Sequence, residues 1–151
     1  MKIRTLIGSL LLPALLACTT AGDAVTLPKM ADLLAQETGQ NGRACVRVSD
    51  IDGYGFQHDI VTVDAGRDYY LMTTLTRCHA MAMAVAVVFK GPQNEVCGGG
   101  TSSITSTDGR CTISKIFEFD DKDAAFSALK KAQSLIDEAK NAAQMTMELV
   151  E

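Results

Sequence analysis

The chain has no tryptophan, and aromatic residues make up only 5% of its 151 positions. A stacking platform for bases or sugars is therefore not expected. Cations do not predominate either: 14 Lys and Arg stand against 18 Asp and Glu, for a net charge of −4. This argues against nucleic acid or a broad anionic surface as a partner, since both require clustered positive charge. Histidine occurs only at positions 58 and 79. No apolar run is long enough to cross a bilayer, which takes roughly 20 residues; the longest, from about Leu6 to Ala17, is interrupted by Pro13. Cysteine is present five times, but never as the close C-x2-C pair that marks a structural zinc site.

What is there begins with Met1-Lys2-Ile3-Arg4, two cations ahead of the apolar stretch, in the order of an export signal. The stretch ends in Leu15-Leu16-Ala17-Cys18, which resembles the lipobox of bacterial lipoprotein precursors, with Leu16 standing where a smaller residue is usual. The resemblance implies cleavage between Ala17 and Cys18 and acyl chains on Cys18. One acyl chain, at about 0.8 kcal/mol per buried methylene, holds only marginally, whereas two or three hold firmly. The rival is an ordinary secretory signal cut after Ala21. Thr19 follows the cysteine, and the absence of an aspartate there favours the outer membrane over the inner one within the resemblance. Loss of residues 1–17 removes Lys2 and Arg4 and no acid, leaving 12 cations against 18 acids, net −6. Residues 18–26 are expected to be a lipidated N-terminus and tether, and 27–151 one domain.

With Cys18 taken by lipid, Cys45, Cys78, Cys97 and Cys111 remain, spaced by 33, 19 and 14 residues. An even number in an oxidising compartment reads as two disulfides, for which three pairings exist. If Cys45 opens the first strand of a meander and Cys78 follows the third, they lie at opposite ends of the sheet. That disfavours Cys45–Cys78, and the reading leans to Cys45–Cys111 with Cys78–Cys97.

The rest reads as α+β: a small antiparallel sheet of meander plus hairpins, packed with a short N-terminal and a longer C-terminal helix. Pro28 suits a first helical position and Gly39 a stop, with Met30, Leu33, Leu34 and Glu37 at helical spacing. Residues 44–75 alternate in three runs, separated by turns at Asp52-Gly53-Tyr54-Gly55 and Asp64-Ala65-Gly66. After Cys78, His79 to Ala84 has helix composition and Val85 to Phe89 strand composition; a continuous alternating strand is the rival. Glu95-Val96-Cys97 opens a short strand. Ser103 to Ser106, the turn Thr107-Asp108-Gly109, and Cys111 to Phe119 form a last hairpin. Asp120 or Asp121 caps the final helix, whose Ala125, Leu129, Ala132, Ile136, Ala139 and Ala143 form one stripe, expected to pack on its own domain.

Sites are scarce. Asp50-Ile51-Asp52-Gly53-Tyr54-Gly55 has the acids and glycine of a calcium loop at positions 1, 3 and 6. It lacks an oxygen ligand at 5 and has Val61 where a bidentate glutamate belongs, so a hairpin turn is expected. Cys97-Gly98-Gly99-Gly100-Thr101-Ser102-Ser103 lacks the lysine of a phosphate loop and reads as flexible backbone beside a disulfide. His58 has Ser49 and Asp59 near it in sequence, without a nucleophile motif, and His79 has no such set; both read as surface or structural residues. Arg43, Arg47, Arg67, Arg77 and Arg110 are scattered and read as solvated surface.

Residues 43 to 119 resemble a family of small, uncharacterised proteobacterial envelope lipoproteins that carry a four-cysteine domain. The match lies in Arg43-Ala44-Cys45, in Tyr69-Tyr70-Leu71 with Cys78, in Val96-Cys97-Gly98-Gly99, and in Arg110-Cys111-Thr112-Ile113-Ser114-Lys115-Ile116. Ala44 is an insertion against that pattern, and Thr101 stands where it has an acid. The resemblance implies a fold and an envelope address but no activity. The expectation is a non-enzymatic lipoprotein, structural or protein-binding, held to the membrane by lipid and facing the periplasm, with an envelope protein as partner and no cofactor or metal. Two alternatives are a carrier of a small apolar ligand in a cleft between sheet and C-terminal helix, and an enzyme using His58 or His79.

Overall fold

The computed structural model describes residues 26–148. The expected leader, Cys18 and most of the expected tether lie outside the described residues. The fold is α+β, as the patterning implied. Helix α1 (Met30–Thr38) begins two residues after Pro28 and stops at Gly39, whose φ of +68° closes it. The strands are β1 (Cys45–Arg47), β2 (Gly53–Gln57), β3 (Ile60–Ala65), β4 (Asp68–Thr74), β5 (Val88–Lys90), β6 (Glu95–Cys97), β7 (Ser103–Ser106) and β8 (Gly109–Phe119). Helix α2 (His79–Ala82) precedes β5, and α3 (Lys122–Glu148) ends the chain's described part.

Six strands form one antiparallel sheet in the order β2-β3-β4-β8-β7-β5, while β1 and β6 form a separate two-stranded ribbon. Strand β8 spans both halves of the sheet. Its residues from Ile113 on pair with β4, and those up to Thr112 pair with β7. Between them the register slips: Thr73 faces Lys115 and Thr74 faces Ile113, so Ser114 is the extra residue of a bulge. A bulge bends its strand and frees a carbonyl. Here that carbonyl accepts the Gly99 N–H at 2.7 Å, which ties the end of the ribbon to the bend.

Side chains alternate along the strands, and both faces of the sheet are apolar. One face carries Ile60, Leu71, Tyr69 and Phe117, covered by Leu34 of α1 and by Ala125, Leu129 and Ala132 of α3. The other carries Val61, Val63, Tyr70, Met72, Ile113 and Ile116. It is covered by Val46 and Val96 of the ribbon, Met81 of α2 and Phe89 of β5. The sheet curls to enclose this second face. Its two end strands approach each other where the Tyr54 and Phe89 rings meet edge to face at 6.1 Å.

Several expectations are corrected. The meander exists, but as β2-β3-β4; the Cys45 strand is not its first member, because residues 48–50 form a 3-10 turn that turns the chain away from β1. Gly53 to Gly55 belong to strand β2 rather than to a turn. The reversal occurs at His58 and Asp59, whose φ values of 50° and 61° suit a two-residue hairpin turn. After Cys78 there is a short helix and then a strand, as read, with the strand confined to Val88–Lys90 and no continuous strand from Met81. Asp121 is the α3 cap, its Oδ1 accepting the Ala124 N–H at 2.7 Å. The α3 stripe is fully buried only as far as Ala132; Ile136, Ala139 and Ala143 are half-buried.

The disulfide pairing also differs: Cys45 joins Cys97, and Cys78 joins Cys111. The lean to Cys45–Cys111 rested on placing β1 in the meander. Once β1 pairs with β6 instead, Cys45 faces Cys97 directly.

Candidate functional site

Among the described residues the surface has several concave places and one exposed disulfide. The first is an open groove of about 410 Å³ where β2 and β3 meet the start of α3, lined by Gly53, Gly55, Thr62, Asp64, Tyr69 and Phe126 among others. It is the cleft between sheet and C-terminal helix that a ligand carrier would use. Glycines make its floor: a Cβ at Gly55 would stand 2.8 Å from the Thr62 hydroxyl. Tyr69 and Phe126 pack at 5.7 Å as its wall, with the Lys122 ammonium 5.6 Å over the Phe126 ring. The groove is open to solvent and mixes polar with apolar groups, unlike an enclosed apolar cavity.

The second, about 320 Å³, lies between His58 and one face of α3, with Ser134 and Asp137 on its rim. The Ser134 hydroxyl donates to the Lys131 carbonyl at 2.8 Å, and Asp137 accepts from Gln133 at 3.0 Å. Among the described residues His58 makes no side-chain hydrogen bond. The neighbours it has in sequence point elsewhere: Asp59 pairs with Arg77 at 3.5 Å, and the Ser49 hydroxyl donates to Asp50 at 3.0 Å. His79 is exposed at the start of α2. The structure therefore assembles no Ser–His–Asp arrangement from the candidate residues.

The calcium-loop acids are likewise separated. Asp50 accepts from the Arg47 guanidinium at 2.9 Å, and Asp52 accepts the Gly66 N–H at 3.0 Å, so each has its own partner. The segment is the entry to β2, not a hairpin turn. The glycine segment after Cys97 does lie beside a disulfide, but its backbone is engaged: Gly98 N–H donates to Ala44 O at 3.1 Å and Ser102 Oγ accepts the Cys97 N–H at 2.9 Å. All five singled-out arginines are exposed.

The third place, about 240 Å³, lies beside the ribbon and is lined by Cys45, Val46, Arg47, Asp50, Ala65, Asp68, Tyr70 and Glu95. The Tyr70 hydroxyl donates to Glu118 Oε1 at 3.2 Å. Burial, and then the negative charges of Glu118 and Asp68, push this phenol up to about 12. Cys45 and Glu95 belong to the lining of this third place, and the sulfurs of Cys45 and Cys97 and the carboxylate of Glu95 lie within 4.8 Å of one another. The two sulfurs are bonded to each other, so the thiolates that a metal would need are not on offer in this state.

Sequence reasoning missed the ribbon, although a signal was present. Cys45-Val46-Arg47 read forwards and Glu95-Val96-Cys97 read backwards are complementary: cysteine to cysteine, valine to valine, arginine to glutamate. An antiparallel register that satisfies all three at once is a pairing argument that spacing alone does not contain.

Fold and disulfides define a small α+β domain, an antiparallel sheet and a two-stranded ribbon covered by helices and closed by two disulfides. The chain belongs to a family of unknown function (DUF6491), whose model matches residues 1–135. No curated protein and no solved structure matches it. Among the described residues no helix is long and apolar enough to cross a membrane.

Proposed function

We propose that the chain is a lipid-anchored binding domain of the bacterial envelope, non-enzymatic, held by acyl chains on Cys18 and facing the periplasm. Two disulfides are consistent with an oxidising compartment. The family match covers residues 1–135 and so includes Cys18.

One observation carries the binding reading. Of the large apolar side chains that the domain exposes, Met83, Val85 and Val88 stand within six residues of one another, at 84%, 98% and 55% exposure. Tyr54 joins them by donating its hydroxyl to the Val85 carbonyl at 3.2 Å. Contiguous exposed apolar surface of this kind marks an interaction site. The segment leads into β5, the end strand of the sheet, which pairs with β7 alone. No charged residue occurs from Ala80 to Phe89. The occupant that fits is an extended apolar segment of another envelope protein, added to the sheet as a further strand.

A photo-crosslinking residue at Val85 in the full-length, membrane-bound chain tests this. The expected result is one defined protein adduct, lost on Val88→Asp and absent when the crosslinker stands at Thr107. Adducts with lipid or a second copy of the chain, or no adduct, would overturn it. Mass spectrometry of the N-terminal peptide tests the anchor separately; an unmodified Cys18 thiol would remove it.

A further inference from the structure

Three features separate the Cys45–Cys97 bond from its fellow. It is at the surface: Cys45 is exposed and Cys97 half-buried, whereas Cys78 and Cys111 are buried. It opens onto the cleft of about 240 Å³, of which Cys45 forms part of the wall. And it joins directly facing residues of an antiparallel pair, with the Cα atoms 4.1 Å apart. Gly98 N–H donates to Ala44 O, so the neighbouring pair is the hydrogen-bonded one, and Cys45 and Cys97 occupy the closer, non-hydrogen-bonded position.

We propose that Cys45–Cys97 is a reversible thiol–disulfide exchange site, whose substrate is a dithiol protein reductant. The thiolate of the reductant attacks the exposed Cys45 sulfur. The Cys45–Cys97 bond breaks, and Cys97 leaves as a thiolate. The reductant's second thiol then attacks its own sulfur in the mixed disulfide and releases Cys45. One disulfide and one dithiol become one dithiol and one disulfide, and the two protons given up by the reductant end on Cys45 and Cys97.

Reversibility comes from what remains when the bond is cut. Val46 and Val96 stay buried in the core, at 4% and 0% exposure, and Gly98 and Gly99 stay hydrogen-bonded to Ala44 and Ser114. The ribbon is therefore held without its sulfur link, and the two thiols remain opposite each other, ready for an oxidant of the disulfide class to rejoin them. Glu95 tunes the rate. Its carboxylate lies within 4.8 Å of both sulfurs, where it repels an arriving thiolate and destabilises a departing one.

The experiment treats the folded full-length protein with dithiothreitol at neutral pH without denaturant, alkylates the quenched sample and maps the thiols by mass spectrometry. The expected result is that Cys45 and Cys97 are alkylated, Cys78–Cys111 stays bonded, and oxidised glutathione restores the first bond after the reductant is removed. Glu95→Gln should speed the opening by about three- to five-fold, the effect of removing one nearby charge in a solvated setting. A pair that opens only in denaturant, two pairs that open together, or an opening rate indifferent to Glu95→Gln at unchanged stability would each overturn the proposal.

Discussion

The two disulfides occupy opposite physical settings in one small domain. Cys78–Cys111 lies in the core with Met81, Phe89, Ile104 and Ile113, whereas Cys45–Cys97 joins a surface pair of a three-residue ribbon. Loop closure alone would rank the ribbon bond as the more stabilising. It spans 52 residues against 33, which corresponds to about 4.1 against about 3.7 kcal/mol in the chain-entropy account. Packing reverses the order, because removal of two buried sulfurs leaves a cavity and removal of two surface ones does not. Replacing both Cys78 and Cys111 with Ala is expected to cost about 5 kcal/mol, and the Cys45/Cys97 double Ala variant about 3 kcal/mol. Urea unfolding of the two variants measures the difference. If the ribbon variant loses as much or more, chain entropy governs and the contrast in setting has no energetic meaning.

The ribbon's independence from its bond rests on its two valines, which offers a way to break the comparison. Val96 has no exposed surface and packs in the same cluster as Val46, Met72 and Ile116. Val96→Ala removes two buried carbons and leaves a small void, for about 2–3 kcal/mol. The variant should remain folded, since a domain of this size has roughly 5–15 kcal/mol in hand. Its reduced form should reclose the Cys45–Cys97 bond several-fold more slowly than the parent, while Cys78–Cys111 is indifferent. Reclosure at the parental rate would mean that the backbone hydrogen bonds at Gly98 and Gly99 alone hold the ribbon in register.

This contrast between ribbon and core also marks how far the sequence could be read. Helix α1 with its Gly39 stop, the Asp121 cap and the strand pattern of β3, β4 and β8 are local: each follows from spacing, a capping residue or alternation within a dozen positions. The ribbon is not local. β1 and β6 are three residues each and lie about 50 positions apart, too short for alternation to register and too distant for a turn to imply their pairing. That one missing pairing carried the error into both disulfides. The groove at β2 was hidden for a related reason. Glycine is read as turn punctuation, yet Gly53 and Gly55 alternate on one face of a strand, where their missing side chains open a groove. The exposed apolar segment 83–88 was visible as composition, but composition does not distinguish a buried strand from an uncovered one.

The smallest expected effect concerns Tyr70, which shares the walls of one cleft with Cys45, Val46 and Glu95. Its phenol is raised from 10.0 to about 12, through burial first and the carboxylate of Glu118 next. A phenol with a higher pKa in the folded than in the unfolded chain holds its proton more tightly when folded. Its contribution to stability is therefore complete below about pH 10 and is lost as the pH rises to about 12. With the cleft open on one side, the loss is about 1–2 kcal/mol. Urea midpoints at pH 9 and pH 11.5 should fall further for the parent than for Tyr70→Phe, and a parallel fall in both would show that Tyr70 ionises as a free tyrosine does. The same titration, followed by tyrosinate absorbance, tests whether the ribbon stays in place. If Val46 and Val96 hold it without the sulfur link, the Cys45/Cys97 double Ala variant keeps Tyr70 near its raised value. A drop towards 10 in that variant would mean that water reaches the phenol because the ribbon has lifted, and the exposed disulfide would then be a clasp on which the docking of the ribbon depends.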